Sequence, residues 1–151
     1  VSGVTIKLRV EGGYAIARHV YFAFDYRDVF AVNQIRRCGQ FLSVAAAGFA
    51  DDSQWERLRK KTDATIQRVI DASLHGTSVT VVCVGLRTAA RKWVTYELRQ
   101  SALRGNGLLG VYLPGESGHP KPAALGTAPL YQWNSSRFPV WVEEAASRAR
   151  G

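Results

Sequence analysis

The sequence predicts an α/β protein, a mainly parallel sheet wound on both faces by helices. Two observations carry this. Short β-branched and aromatic runs alternate with stretches of helical periodicity from end to end. One of those runs, Val79 to Val84, has almost no polar residue, as a strand buried on both faces requires. A length of 151 residues suits one domain with a full core. Residues 14–151 are expected to form it, with residues 1–13 an N-terminal extension or expression remnant.

In residues 1–13, Val4, Ile6, Leu8 and Val10 alternate with polar residues before Gly12-Gly13, a strand-like period that also allows an extra edge strand. Arg18 to Phe24 reads as a buried strand. Asp28 is placed to cap a helix through Val29, Phe30, Val32, Asn33 and Ile35, which Gly39 would stop. Phe41 to Ala47 is a candidate short strand. Ser53, with Glu56 at capping-box distance, opens a helix in which Trp55, Leu58, Thr62, Ile66, Val69, Ile70 and Leu74 share a face, and His75-Gly76 closes it.

Thr77 to Val84 is the central strand. The helix after it carries the apolar stripe Ala90, Val94, Leu98 and Ala102 and ends at Gly105-Asn106-Gly107, which puts Glu97 at the stripe's half-buried margin. Leu108 to Leu113 is the next strand, residues 114–129 a Gly/Pro-rich loop, and Tyr131 to Trp133 a last short strand. Phe138 to Arg150 closes the chain as a helix with Pro139 in its first turn. Right-handed crossovers turn this order into a flavodoxin-like, doubly wound sheet.

Twenty Lys plus Arg against twelve Asp plus Glu leave a net charge of +8. The cations are dispersed rather than gathered in one tract, and Arg57, Arg59, Lys60, Lys61 and Arg68 read as solvated surface. The excess therefore suits solubility or attraction of a small polyanion, and no nucleic-acid partner is expected. No apolar run has the length of a membrane span and no signal-peptide segment is visible, so a cytoplasmic location away from membranes is expected. Cys38 and Cys83 read as reduced core thiols, and the isolated His19, His75 and His119 suggest no metal site.

The chemistry concentrates in Arg91-Lys92-Trp93-Val94-Thr95-Tyr96-Glu97-Leu98. Trp93 and Glu97 are one helical turn apart and lie just past the carboxyl end of the central strand, where α/β sheets bind ligands. On residue type alone, Glu97 reads as a solvated glutamate paired with Arg104 or Lys92, and Trp93 reads almost as well as a packing residue at the helix start.

Three segments resemble the TIR and TIR-like family: residues 20–28, residues 81–88, and residues 91–98 with the Trp-x-x-x-Glu-Leu pattern. The similarity is closest to the TIR-like proteins of bacterial Thoeris anti-phage defence, which makes residues 14–151 a single TIR-like domain. Ala23 departs from the Ser common in that strand. The resemblance implies an enzyme that splits the nicotinamide–ribose bond of NAD and makes a cyclic or modified ADP-ribose signal. That signal would be read by a separate effector protein, with a phage-derived trigger and homo-oligomer assembly as further implied partners. By motif match Glu97 is the catalytic acid and Trp93 orients substrate, with Phe24, Asp25, Tyr26, Arg27 and Asp28 around the loop after the first strand. NAD enters as substrate, and no cofactor is implied.

The reaction itself agrees. Breaking an N-glycosidic bond to a pyridinium builds cationic charge on the ribose, and the neutral leaving group needs no acid, so one carboxylate suffices. An aromatic such as Trp93 would fold the substrate and exclude water. Arg27, the N–H groups at Asp28 and Arg87 are candidate pyrophosphate donors. A Gly-rich phosphate loop is absent, which disfavours dehydrogenase and P-loop readings. Two alternatives remain: a non-catalytic self-association or adaptor module, and a nucleoside deoxyribosyltransferase-like enzyme.

Overall fold

The computed structural model describes residues 2–9, 15–36, 41–48 and 57–151. The Val-rich run is strand β4 (Val79–Val84), and all six of its residues are buried. It pairs in parallel with β2 (Ala15–Ala23) on one side and with β5 (Gly107–Tyr112) on the other, so that Val81 faces Phe22 and Leu109. β6 (Leu130–Tyr131) extends the parallel array beyond β5. A strand enclosed by neighbours and by helices on both faces has no solvated side, which explains its composition.

β1 (Ser2–Arg9) and β3 (Phe41–Gly48) complete a sheet of order β3-β1-β2-β4-β5-β6. β1 runs antiparallel to both β2 and β3, so β3 points in the same sense as β2. With β1 set aside, the order is the flavodoxin-like one. The alternation in residues 1–13 did signal a strand, but one inside the sheet rather than at its edge. Period-2 patterning reports faces, and says nothing about how many neighbours a strand has.

Helices cover both faces. α1 (Val29–Arg36) and α4 (Phe138–Arg150) pack on Phe22, Val81 and Val111, while α2 (Asp63–Leu74) and α3 (Lys92–Leu103) pack on Tyr21, Ala23 and Val82. Between α4 and β5 the backbones nearly touch. A Cβ on Gly107 would lie 2.2 Å from the Ala145 carbonyl oxygen.

Local chemistry moved several boundaries. α2 begins at Asp63 because the Thr62 hydroxyl accepts the Thr65 N–H at 3.2 Å and caps it, so Thr62 ends the preceding segment instead of lying mid-helix. Ser53, Trp55 and Glu56 lie outside the described residues, as do Cys38 and Gly39. Asp28 is not the cap of α1. Asp25 accepts the Arg27 N–H and caps a 3-10 turn, Tyr26–Asp28, that feeds into α1. The last strand stops at Tyr131, before Gln132 and Trp133. Among the described residues no helix is long and apolar enough to cross a membrane.

Candidate active site

Helix α3 follows β4 through a loop tied down by Thr88, whose buried hydroxyl accepts the Gly85 N–H at 2.8 Å. Its inner stripe is Val94, Glu97, Leu98 and Ser101, while Ala90 and Ala102 are exposed. Glu97 is therefore only 2% exposed, not at a half-buried margin. The cause is a buried polar ladder. The Thr80 hydroxyl on β4 donates to Ser101 Oγ at 2.7 Å, and Ser101 Oγ donates to the Glu97 carbonyl at 2.7 Å. Asn106 Nδ2 donates to Thr80 Oγ1 at 3.2 Å and to Thr77 Oγ1 at 2.9 Å. Satisfied polar groups are tolerated in a core, and these turn the helix toward the Ser101 side rather than the Ala102 side.

The Glu97 carboxyl meets Tyr21 of β2, whose hydroxyl donates to Glu97 Oε2. Tyr21 is wholly buried. Burial pushes the Glu97 carboxyl above the usual carboxylate range, and the terminal amino group and then the Tyr21 hydroxyl pull it back down. Burial and the neighbouring carboxylate push the Tyr21 phenol well above its ordinary value, so it remains a protonated donor. Lys92 is paired with Asp63 and Arg104 is exposed, so neither is the partner expected for Glu97 on sequence spacing.

A second cluster lies at the carboxyl ends of β2 and β4. Asp25, 2% exposed, has Oδ2 within 3.3 Å of Arg91 Nε, 3.5 Å of Arg87 Nε and 3.6 Å of Arg27 Nε. None of these contacts has hydrogen-bond geometry at Oδ2, so they act as charge attraction. Three guanidinium groups share one carboxylate, and they remain partly exposed to solvent. Arg91 immediately precedes α3, and Glu97 is six residues on, about 9 Å along the helix axis. Beside this cluster Asp28 packs its carboxylate over Gly85, where a Cβ would lie 2.6 Å from Oδ2. Burial and the Asp25 charge raise the Asp28 carboxyl, and Arg87 opposes the shift. Among the described residues no group of three or more His, Cys, Asp or Glu is arranged to hold a metal ion. The buried Cys83 thiol is pushed up to about 12.

The residues singled out in the sequence thus separate. Asp25, Arg27 and Arg87 converge, and Asp28 adjoins them. Tyr26 is half-buried, with the Arg27 and Arg59 guanidinium groups 5.8 and 5.9 Å from its ring centre. Phe24 belongs to the core on the opposite face, with Arg36 5.5 Å from its ring centre. Trp93 meets Tyr96 edge-on at 5.7 Å and lines a groove of about 470 Å³ with Gln67, Arg99 and Gln100. Glu97 is not among the residues that line that groove. Sequence reasoning missed Tyr21 and Arg91. A Tyr in a continuous buried strand needs a partner for its hydroxyl, and that signal could have found the first. Arg91, in the motif segment itself, gave no cue beyond its charge.

Fold and site together define a TIR-like α/β domain, with an acid held on the helix after the central strand and a cationic cluster at the sheet's carboxyl edge. Residues 21–118 match the family model described as Thoeris protein ThsB, TIR-like domain, and the chain belongs to that family. It is 40% identical over 101 residues to a Bacillus cereus (strain MSX-D12) protein named "Putative cyclic ADP-D-ribose synthase ThsB1". The match covers 65% of this chain and 53% of that protein, so the chain spans about half the length of the curated relative it matches.

Proposed function

We propose that this chain cleaves the nicotinamide–ribose bond of NAD and closes the ADP-ribose product into a cyclic or otherwise modified signal. The observation that carries the reading is the buried Glu97 carboxyl, gripped by Tyr21 on the helix after the central strand. As the C–N bond breaks, its electron pair leaves with nicotinamide and positive charge develops on the ribose. A carboxylate in a low-dielectric site stabilises that charge far better than water-exposed acid would. The Trp93–Tyr96 corner offers an aromatic surface against which a nucleotide can fold, so that an internal nucleophile rather than water captures the ribose carbon. The family and the name of the Bacillus relative support the same chemistry. In this reading a separate effector protein receives the signal, and a phage-derived trigger and self-assembly govern when it is made.

The test is direct: incubate the protein with NAD, separate the products by chromatography, and look for nicotinamide with a cyclic partner. Absence of nicotinamide release at high protein concentration would sink the reading.

The Arg27–Arg87–Arg91 cluster is the proposed seat of the pyrophosphate, because its cations outnumber the one carboxylate they share. Arg87→Ala is expected to raise KM for NAD about tenfold, the effect of one partly screened charged hydrogen bond. Its kcat should stay near wild type, and the salt dependence of KM should weaken. Initial-rate kinetics at two ionic strengths check this. An unchanged KM removes Arg87 from the site.

A further inference from the structure

We infer that Tyr21 is the positioning residue for Glu97, its phenol hydroxyl holding the carboxylate in a single orientation and in its ionised form when NAD is cleaved. This rests on the proposed role of Glu97 in that cleavage. An ionised carboxylate taken out of water is costly unless donors meet it. On the sheet side of α3 the Tyr21 hydroxyl donates to Glu97 Oε2. Both groups are almost fully enclosed, so the contact is not screened by solvent.

Backbone and side chain of Glu97 are fixed by different strands. The Thr80–Ser101 ladder anchors the Glu97 carbonyl to β4, and Tyr21 anchors the carboxyl to β2. β2 and β4 are the neighbours between which the flavodoxin-like order reverses direction, so the acid straddles the topological switch point. The apolar neighbours of α3 in this layer, Val82 and Ala23, supply no charge. From α2, Asp71 adds a negative charge near Tyr21 and is itself held by the Tyr96 hydroxyl at 3.0 and 3.2 Å. The terminal amino group also favours the ionised form of Glu97, and Tyr21 is the side chain of β2 that adds to it through a hydrogen bond.

Tyr21→Phe keeps the ring and removes the donor. Because the hydroxyl lowers the Glu97 pKa, its loss moves the acidic limb of the kcat profile to higher pH. At pH 6 kcat should fall about tenfold or more, as expected for a lost hydrogen bond to a charged group, with KM for NAD changed less than about twofold. The deficit should shrink toward pH 9. Site-specific 3-fluorotyrosine at position 21 is a stronger donor of the same shape and should move the limb the other way. If Tyr21→Phe fails to fold by circular dichroism, the fluorotyrosine arm decides. An acidic limb left in place by the variants that fold overturns the inference. Glu97→Gln separates the two ideas: if it still releases nicotinamide at the wild-type rate, the role of Glu97 falls and this inference with it. If Glu97→Gln is inactive while the Tyr21 variants leave the limb unmoved, only the inference falls.

Discussion

Glu97→Gln should lower nicotinamide release from NAD by about 10²–10³-fold, the scale on which removing one preorganised electrostatic group affects kcat. The same substitution should make the protein more stable. Glu97 is buried in a layer of apolar side chains, and its carboxyl is raised above the usual range chiefly by that burial. A raised folded-state pKa means that the protonated acid is favoured by folding. The wild type is then most stable below the unfolded-state value, loses stability as pH climbs through the folded-state value, and stays lower above it. Glutamine can accept the Tyr21 hydroxyl through its amide oxygen and does not titrate. The gain should therefore be small near pH 4 and larger near pH 8, and about 0.5–2 kcal/mol is typical of relieving a strained functional site. At roughly 2–4 °C per kcal/mol for a chain of this size, thermal melts at the two pH values can resolve it. Full activity in Glu97→Gln would remove the residue from the chemistry. A lower Tm at pH 8 would show that burial does not cost what its surroundings indicate.

Of the two glycines of β5, Gly107 and Gly110, Gly107 should be the one that tolerates an added methyl group least. The new Cβ would lie 2.2 Å from the Ala145 oxygen and 2.5 Å from its carbonyl carbon, both main-chain atoms of α4. Rotamer changes cannot relieve a clash with backbone, so α4 must lift from β5. That separates Phe138, Trp141, Val142 and Ala145 from Leu109 and Val111. Overpacking typically costs about 1–3 kcal/mol, and a backbone clash belongs at or beyond the top of that range. Against a typical total of about 5–15 kcal/mol this is a large share. A urea titration should show a midpoint well below wild type, and an unchanged midpoint would mean that α4 and β5 are not packed this closely in solution. Because α4 lies on the face opposite α3, any folded remainder should retain its Tyr21–Glu97 contact. Activity should then fall in step with the folded fraction rather than ahead of it.

The alternation of β-branched runs with helical periods was enough to read the α/β class, the central position of Val79–Val84 and the approximate places of the four described α-helices. These follow from local chemistry: a strand buried on both faces must be apolar throughout, and a surface helix must carry a stripe. Boundaries set by a single hydroxyl, as at Thr62, were hidden, because threonine satisfies helical periodicity as well as it caps. The internal position of β1 was hidden for a similar reason. Its pattern is the same whether one neighbour pairs with it or two.

By itself the sequence determined that this is a doubly wound α/β domain with an acid and an aromatic one turn apart beyond its central strand. Only the tertiary structure decided which way that helix faces. Ser101 looks like a surface residue until Thr80 and Asn106 are brought beside it from β4 and the turn before β5. Their hydrogen bonds make its burial favourable and carry Glu97 inward with it, onto Tyr21. Hydropathy ranks a polar side chain as exposed because it assumes water as the partner. Here the partners come from segments distant in the chain, so the rotation that sets the site depends on contacts that no local pattern encodes.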